Sequence, residues 1–220
     1  MTSADIASLL VPYLEQTGSA SNLPEVLLHQ ISAYVDLLLR WNARTNLTAI
    51  RSPEEIVARH FGESLFAAQQ LFPAGNSRAT PAATLADIGS GAGFPGIPIK
   101  LWVPALHVTL IEAHQKKATF LREAIRTLEL TNVEVQATRA EQVTQTFDVV
   151  TLRAVEHFPE ILPTAASRVN PGGRLALLIG TEQVAAAKSL LNTAKWEEPR
   201  SIPNSQRSVV LIAHLPPEPA

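Results

Sequence analysis

Asp87-Ile88-Gly89-Ser90-Gly91-Ala92-Gly93-Phe94-Pro95-Gly96 closes a short apolar run that starts at Thr84, and its reading decides the fold. Glycines let a chain turn sharply at the end of a strand and approach a ligand closely, and a helix that starts there offers free N–H groups. Working outward, short apolar runs recur at Val108–Ile111, Val133–Val135, Phe147–Leu152, Leu175–Ile179 and Val209–Ile212. Helical patterns separate them, notably at Lys116–Leu130 and Glu182–Thr193. Strands that alternate with helices predict a mainly parallel, doubly wound sheet flanked by helices, an α/β Rossmann-like fold. Ligands of such sheets bind at the carboxyl ends of the strands, where the glycine run lies.

Upstream the period changes. Ile31, Tyr34, Val35, Leu38 and Leu39 recur at helical spacing within residues Pro24 to Leu47, and Pro24 suits a first helical position. Ser52-Pro53-Glu54-Glu55 reads as a helix start, with Ser52 as cap, Pro53 at the first position and Glu55 closing a capping box, and the helix is expected to run on through Arg59. Ile6, Leu9, Leu10, Tyr13 and Leu14 form a shorter amphipathic stretch, ended by Gly18, that Pro12 should kink or divide. Pro73 to Pro81 has loop composition. The expected organisation is an N-terminal helical element (1–72) packed on a core (82–215), together one compact domain.

Composition narrows the function. With 46% hydrophobic and 17% charged residues in 220, the chain can bury a sizeable core. Zero cysteines exclude disulfides, zinc ribbons, iron–sulfur clusters and a thiolate nucleophile. The histidines at 29, 107, 114, 157 and 214 lack metal-ligand spacing, so no metal is expected. The lack of cysteine predicts a cytoplasmic protein, and, with Arg40 the first basic residue and no apolar run near a membrane span of roughly 18 residues, a soluble one without membrane attachment is expected. Eighteen Lys and Arg against twenty Asp and Glu give a net charge of −2, so a nucleic-acid partner has to be argued locally.

Gly91, Gly93 and Gly96 satisfy G-x-G-x-x-G, which fits a nicotinamide cofactor or S-adenosylmethionine (SAM). A carboxylate at Asp87 suits a ligand that carries an ammonium and a sulfonium and sits poorly beside a pyrophosphate. Glu112, 23 residues beyond Gly89, can accept both hydroxyls of an adenosine ribose in either cofactor. The plain alternatives are a loop cap for Asp87 and a solvated strand end for Glu112. After the fourth strand stands Thr151-Leu152-Arg153-Ala154-Val155 in place of the Asn/Asp-Pro-Pro-aromatic that orients exocyclic amines, and C5 methylation of pyrimidines needs a cysteine. An acceptor that is already nucleophilic remains, such as a ring nitrogen with a free lone pair.

Several of these stretches resemble the bacterial small-subunit (16S) rRNA guanine-N7 methyltransferases, RsmG, also called glucose-inhibited division protein B. Trp41-Asn42-Ala43-Arg44-Thr45-Asn46-Leu47-Thr48, Arg59-His60, Asp87 to Pro98, Lys116-Lys117 with Phe120-Leu121, Arg139-Ala140-Glu141 and Arg153-Ala154 match that family's motifs. The resemblance implies a class I SAM-dependent methyltransferase acting on 16S rRNA or an assembling small subunit, with no oligomeric partner implied. It adds Gly89, Phe94, Ala140, Glu141 and Arg153 to the Asp87, Gly91 and Glu112 already read as SAM contacts. Arg153, Asn42, Asn46, Arg59 and His60 become candidates for orienting the base, with no residue assigned as general base. Glu63 stands where the family has aspartate, Leu152 where serine is frequent and Ile179 where lysine is common. A nicotinamide-dependent oxidoreductase and a non-catalytic RNA-binding or ribosome-assembly protein are the competing readings. Plain structural roles compete for single residues: Trp41 as a core anchor, Asn42 and Asn46 as polar residues near a helix end, Arg153 as an ion-pair partner.

Overall fold

In a computed structural model, residues 1–14, 23–73, 83–154 and 157–217 are described. Most of the proline-rich loop and Gly18 therefore lie outside the described residues. The N-terminal helices are α1 (Ser3–Leu14), α2 (Glu25–Thr45) and a continuous helical path from Pro53 to Leu71. That path opens with α3 (Pro53–Glu55), widens into seven residues of π-helix (Ile56–Gly62) and ends as α4 (Glu63–Leu71). The core follows with β1 (Thr84–Ile88), α5 (Gly96–Trp102), β2 (His107–Ile111), α6 (Gln115–Thr127), β3 (Val133–Gln136), β4 (Phe147–Arg153), α7 (Phe158–Ala166) and β5 (Val169–Gly180). After these come α8 (Val184–Leu190), the two-residue strands β6 (Lys195–Trp196) and β7 (Arg200–Ser201), and β8 (Ser208–His214).

The strand order is β3-β2-β1-β4-β5-β8-β6, with β7 also on β8. The first five strands are parallel, and β8 runs antiparallel to β5. From β1 the chain winds to one side through β2 and β3, then returns to lay β4 on the other side of β1. The gap beside the end of β1 is thus a topological switch point, the place where open α/β sheets bind ligands.

Alternation along each strand builds two apolar layers. Leu85, Val108, Leu110, Val149, Ala176 and Val210 face the layer shared with α1, α2, α4, α5 and α6. Ala86, Ile88, Ile111, Val150, Leu152 and Leu177 face Phe158 and Leu162 of α7 and Ala187 of α8. The N-terminal helices share the first layer with the sheet, so the same buried cluster runs from Ile6 to Ile212.

Local details depart from the sequence expectations for physical reasons. Pro24 is the cap of α2, with extended ψ of 135°, and helical geometry begins one residue later. Ser52 caps as expected, accepting from the Glu55 N–H at 3.3 Å, while its hydroxyl donates to the carboxylate of Glu54 at 2.5 Å. Pro12 sits inside α1, close to the end of its described residues, and leaves it undivided. Ile179, at the position that departs from lysine, is buried on β5 opposite Val209.

Candidate active site

A cleft of about 470 Å³ opens at the carboxyl ends of β1, β2 and β4. Ile88 and Gly89 line it from β1, Ile111, Glu112 and Ala113 from β2, and Thr138 to Glu141 from the β3–β4 connection. Ala154, His157, Glu160 and Ile161 close the far side, and Lys117 of α6 stands at the rim. A second concavity of about 490 Å³, lined by Thr84, His107, Thr109 and Glu134 among others, lies at the amino ends of the strands. The glycine run and the acid after β2 meet only at the first.

Glu112 is 7% exposed. One carboxylate oxygen accepts the Gly91 N–H at 2.9 Å and the other accepts the His114 N–H at 2.7 Å. It thereby ties the glycine turn to the start of α6. An ionised carboxylate has about four lone-pair sites, so two remain for vicinal hydroxyls. The plain solvated strand end is not what is found.

Asp87 sits inside the turn. It is wholly buried and does not line the cleft. One oxygen accepts the Thr151 hydroxyl at 2.8 Å, the other accepts the Ser90 hydroxyl at 2.6 Å and the Gly96 N–H at 3.1 Å. Burial pushes its carboxyl up to about 6, against the lowering effect of those bonds and of Arg153. Asp87 braces the turn from within. A Cβ on Gly96 would stand 2.6 Å from Leu110 and 2.8 Å from the Asp87 carboxylate, which explains the glycine there.

Phe94 and Arg153 also lie away from the cleft lining. Phe94 is stacked on His60, with ring centroids 4.7 Å apart, and meets Tyr34 and Phe61 edge-on. Arg153 turns from the end of β4 toward the π-helix, donating to Glu63 at 2.7 Å, to the Arg59 carbonyl at 3.0 Å and to the His60 carbonyl at 3.5 Å. Its guanidinium lies 6.0 Å from the Phe94 ring centre. Burial raises the Glu63 carboxyl, partly offset by Arg153. The glutamate that departs from the family's aspartate is therefore the partner of Arg153, the ion-pair role realised in a mostly buried setting.

Burial, then the charges of Arg153 and Arg59, push the His60 imidazole down to about 3, so it is neutral near pH 7. Its Nε2 lies 2.8 Å from the Thr48 hydroxyl. Arg59 is exposed beside it. The two asparagines lie at the end of α2 and in contact with the turn that follows it. Asn42 is 2% exposed, accepts the Thr48 N–H and donates to the carbonyls of Thr48 and Ile50. Asn46 ends α2 in a left-handed conformation and accepts from Arg51. Asn42 is committed to the turn after α2, whereas Asn46 is exposed and engages Arg51 through its side-chain oxygen. Trp41 packs edge-on to Phe120, as a core anchor would.

Gly89, Gly91 and Gly93 all have positive φ, at 68°, 59° and 85°. A Cβ on Gly91 would meet nothing nearer than a backbone oxygen at 3.8 Å, so the turn leaves open space beside Glu112. Ile88, Ile111, Ala140 and Ile161 supply an apolar lining for a flat ring, and Glu112 supplies acceptors for hydroxyls. This donor and acceptor set fits an adenosine. Among the described residues, no group of His, Asp and Glu is placed to hold a metal ion.

Residues 27–208 match the family model described as rRNA small subunit methyltransferase G. The chain belongs to this family. The ribosomal RNA small subunit methyltransferase G of Chloroflexus aggregans is 40% identical over 205 residues, covering 87% of this chain and 83% of its own. Its counterpart in Stenotrophomonas maltophilia is 41% identical over 169 residues, covering 76% of each. Among solved structures, the magnesium protoporphyrin IX methyltransferase of Synechocystis with bound SAM superposes with a TM-score of 0.63 at 16% identity, covering 83% of this chain and 97% of its own. The ribosomal protein L11 methylase of Lactobacillus delbrueckii gives 0.58 at 17%, covering 72% and 79%. These two share the fold. Family membership sets aside the oxidoreductase reading.

Of the residues singled out in the sequence, Gly89, Glu112, Ala140 and Glu141 line this cleft together. Ala113, Thr138, His157 and Glu160 carry no role in the sequence reading, and Lys117 enters it only as part of a basic motif at a helix start. Ala113 follows the ribose acid directly and Lys117 belongs to a quoted motif, so position in the α/β unit could have found both. His157 and Glu160 carry no signal of their own.

Proposed function

We propose that this chain transfers the methyl group of SAM to N7 of a guanine in 16S rRNA, free or in an assembling small subunit, in the cytoplasm. The observation that carries the reading is the convergence of Gly89, Glu112 and Ala140 on one cleft at the switch point of the sheet. SAM supplies a methyl group already activated by a sulfonium, which the N7 lone pair takes in line as the carbon–sulfur bond breaks and its electrons return to sulfur. No proton leaves N7, so the protein needs no general base.

Its residues contribute binding, alignment and exclusion of water. Glu112 takes the ribose hydroxyls, the Gly89–Gly91 turn leaves room for the backbone to approach, and Ala140 with Ile111 flanks the adenine. Arg153 holds the π-helix against the end of β4, and with it Arg59 and the His60–Phe94 stack, which are the groups best placed to steer a base. The RNA side is supported by exposed Arg40, Arg44, Arg59 and Lys116. Lys116 and Lys117 stand in the first turn of α6, where the helix dipole disfavours cations, which points to a use outside helix stability. The N-terminal helices and the core then act as one unit.

The test is calorimetric titration with SAM, followed by transfer of a labelled methyl group to 16S rRNA, offered free and in small subunits. Transfer to either substrate supports the reading and names the preferred form. SAM binding without transfer to either overturns it.

A further inference from the structure

The glycine turn is held almost entirely from inside the sheet domain. Ser90 N–H donates to the Ile111 carbonyl, Gly91 N–H to Glu112, Gly93 and Phe94 N–H to the Ser90 carbonyl, and Gly96 N–H to Asp87. Among the described residues, one hydrogen bond reaches the turn from the N-terminal helices, beside the packing of Phe94 on His60 and Phe61. Tyr34, on α2 and fully buried, donates its hydroxyl to the carbonyl of Ala92, at the apex of the turn between the positive-φ residues Gly91 and Gly93. A Cβ on Gly93 would lie 3.0 Å from that hydroxyl, so phenol and turn are in direct contact. The Tyr34 ring is itself fixed edge-on by Phe61 at 5.3 Å, Phe94 at 5.4 Å and Phe120 at 5.9 Å.

We infer that Tyr34 is a positioning residue for the methyl donor: from the N-terminal helical element it holds the Ala92 carbonyl, and so keeps the glycine turn in the conformation that accepts SAM. A helix outside the sheet domain thereby becomes part of the cofactor site. The physical reason is the accounting of buried backbone groups. The other carbonyl acceptors of the turn serve N–H groups of the same chain segment, whereas Ala92 is 6% exposed and is served by a side chain 58 residues away. Without that donor the carbonyl is buried and unsatisfied, and the turn gains by rotating Ala92 toward water. Three positive-φ residues make such a rotation easy, and any population in the rotated form lowers apparent affinity in proportion.

The inference rests on SAM being the ligand of the cleft, and the test separates the two claims. Tyr34→Phe keeps the ring and its three aromatic contacts and removes only the donor. Phe120→Leu disturbs the same cluster and keeps the donor. Calorimetry and steady-state kinetics on both variants, with thermal unfolding to set stability aside, should show Tyr34→Phe raising Kd and KM for SAM by about tenfold. Its KM for RNA and its kcat at saturating SAM should stay near the parent's, and Phe120→Leu should bind SAM as the parent does despite a lower Tm. Hydrogen exchange should quicken at the amides of Gly93 and Phe94 in Tyr34→Phe alone. SAM affinity unchanged in Tyr34→Phe, or lowered equally in Phe120→Leu, would overturn the inference while leaving the functional reading intact. A parent that failed to bind SAM would overturn both.

Discussion

Replacing Glu112 with glutamine changes one atom of the site, and the structure says what that atom does. Both carboxylate oxygens accept backbone N–H groups, from Gly91 at 2.9 Å and His114 at 2.7 Å. Glutamine keeps one acceptor and turns an NH2 donor toward the other N–H, so at least one of these bonds is lost whichever way the amide sits. An N–H left unpaired in a largely buried place costs about 1–3 kcal/mol. That cost falls on free and bound protein alike, and it lowers Tm by about 2–4 °C per kcal/mol in a chain of this size. On top of it, hydrogen bonds from the ribose hydroxyls pass from a charged to a neutral acceptor, a difference of about 1 kcal/mol that only the bound state feels. With some loosening of the turn added, Glu112→Gln should weaken SAM binding by about 1–3 kcal/mol, or roughly 5- to 150-fold in Kd. Glu112→Ala should weaken it at least as much. Titration calorimetry against SAM, paired with unfolding curves taken without ligand, separates the two parts. If both variants bound SAM like the parent while melting earlier, Glu112 would be a brace for the turn and no ribose ligand.

Three further outcomes follow from the same geometry. Burial lifts the Asp87 carboxyl from 3.8 to about 6, so the folded state binds more protons than the unfolded one over that window, and stability should fall by about 3 kcal/mol as pH rises from about 4 through 6; Asp87→Asn should remove this component, and parallel denaturation-versus-pH curves for parent and variant would refute it. The Arg153–Glu63 pair is nearly buried, at 13% and 11% side-chain exposure, so Arg153→Ala should cost about 3–5 kcal/mol and reduce turnover more than RNA affinity; a double-mutant cycle with Glu63→Gln that gives no coupling would reduce the pair to an ordinary surface contact. Changing Arg44, Arg59 and Lys116 together to alanine should weaken rRNA binding and lower its salt slope by about 0.7 to 0.9 per lost phosphate contact, with SAM affinity kept; filter binding with the parental slope would move the RNA elsewhere.

The sheet was legible because its strands are short apolar runs bounded by turns, and each run named in the sequence lies within a strand of the fold. Glu112 was legible for a related reason, since spacing from the glycine turn sets its place at the next strand end. Spacing carries no information on depth. Asp87 stands where a ligand-facing carboxylate would stand, yet Thr151, Ser90 and Gly96 enclose it, and only the packed structure shows that. The π-helix at Ile56–Gly62 could not be read, because the apolar period of that stretch is compatible with a plain α-helix. The contacts that join the two halves were equally hidden. Arg153 finds Glu63 across 90 positions, and Tyr34 looks in sequence like one more member of an apolar helical face.

The central claim is tested most directly by nucleoside mass analysis of 16S rRNA taken from cells lacking this activity, before and after incubation with the purified protein and SAM. The account predicts one new 7-methylguanosine per rRNA, absent when SAM is omitted and strongly reduced with Glu112→Ala. A methyl group appearing on an exocyclic amine, on a ribose hydroxyl or on a pyrimidine carbon instead would contradict it.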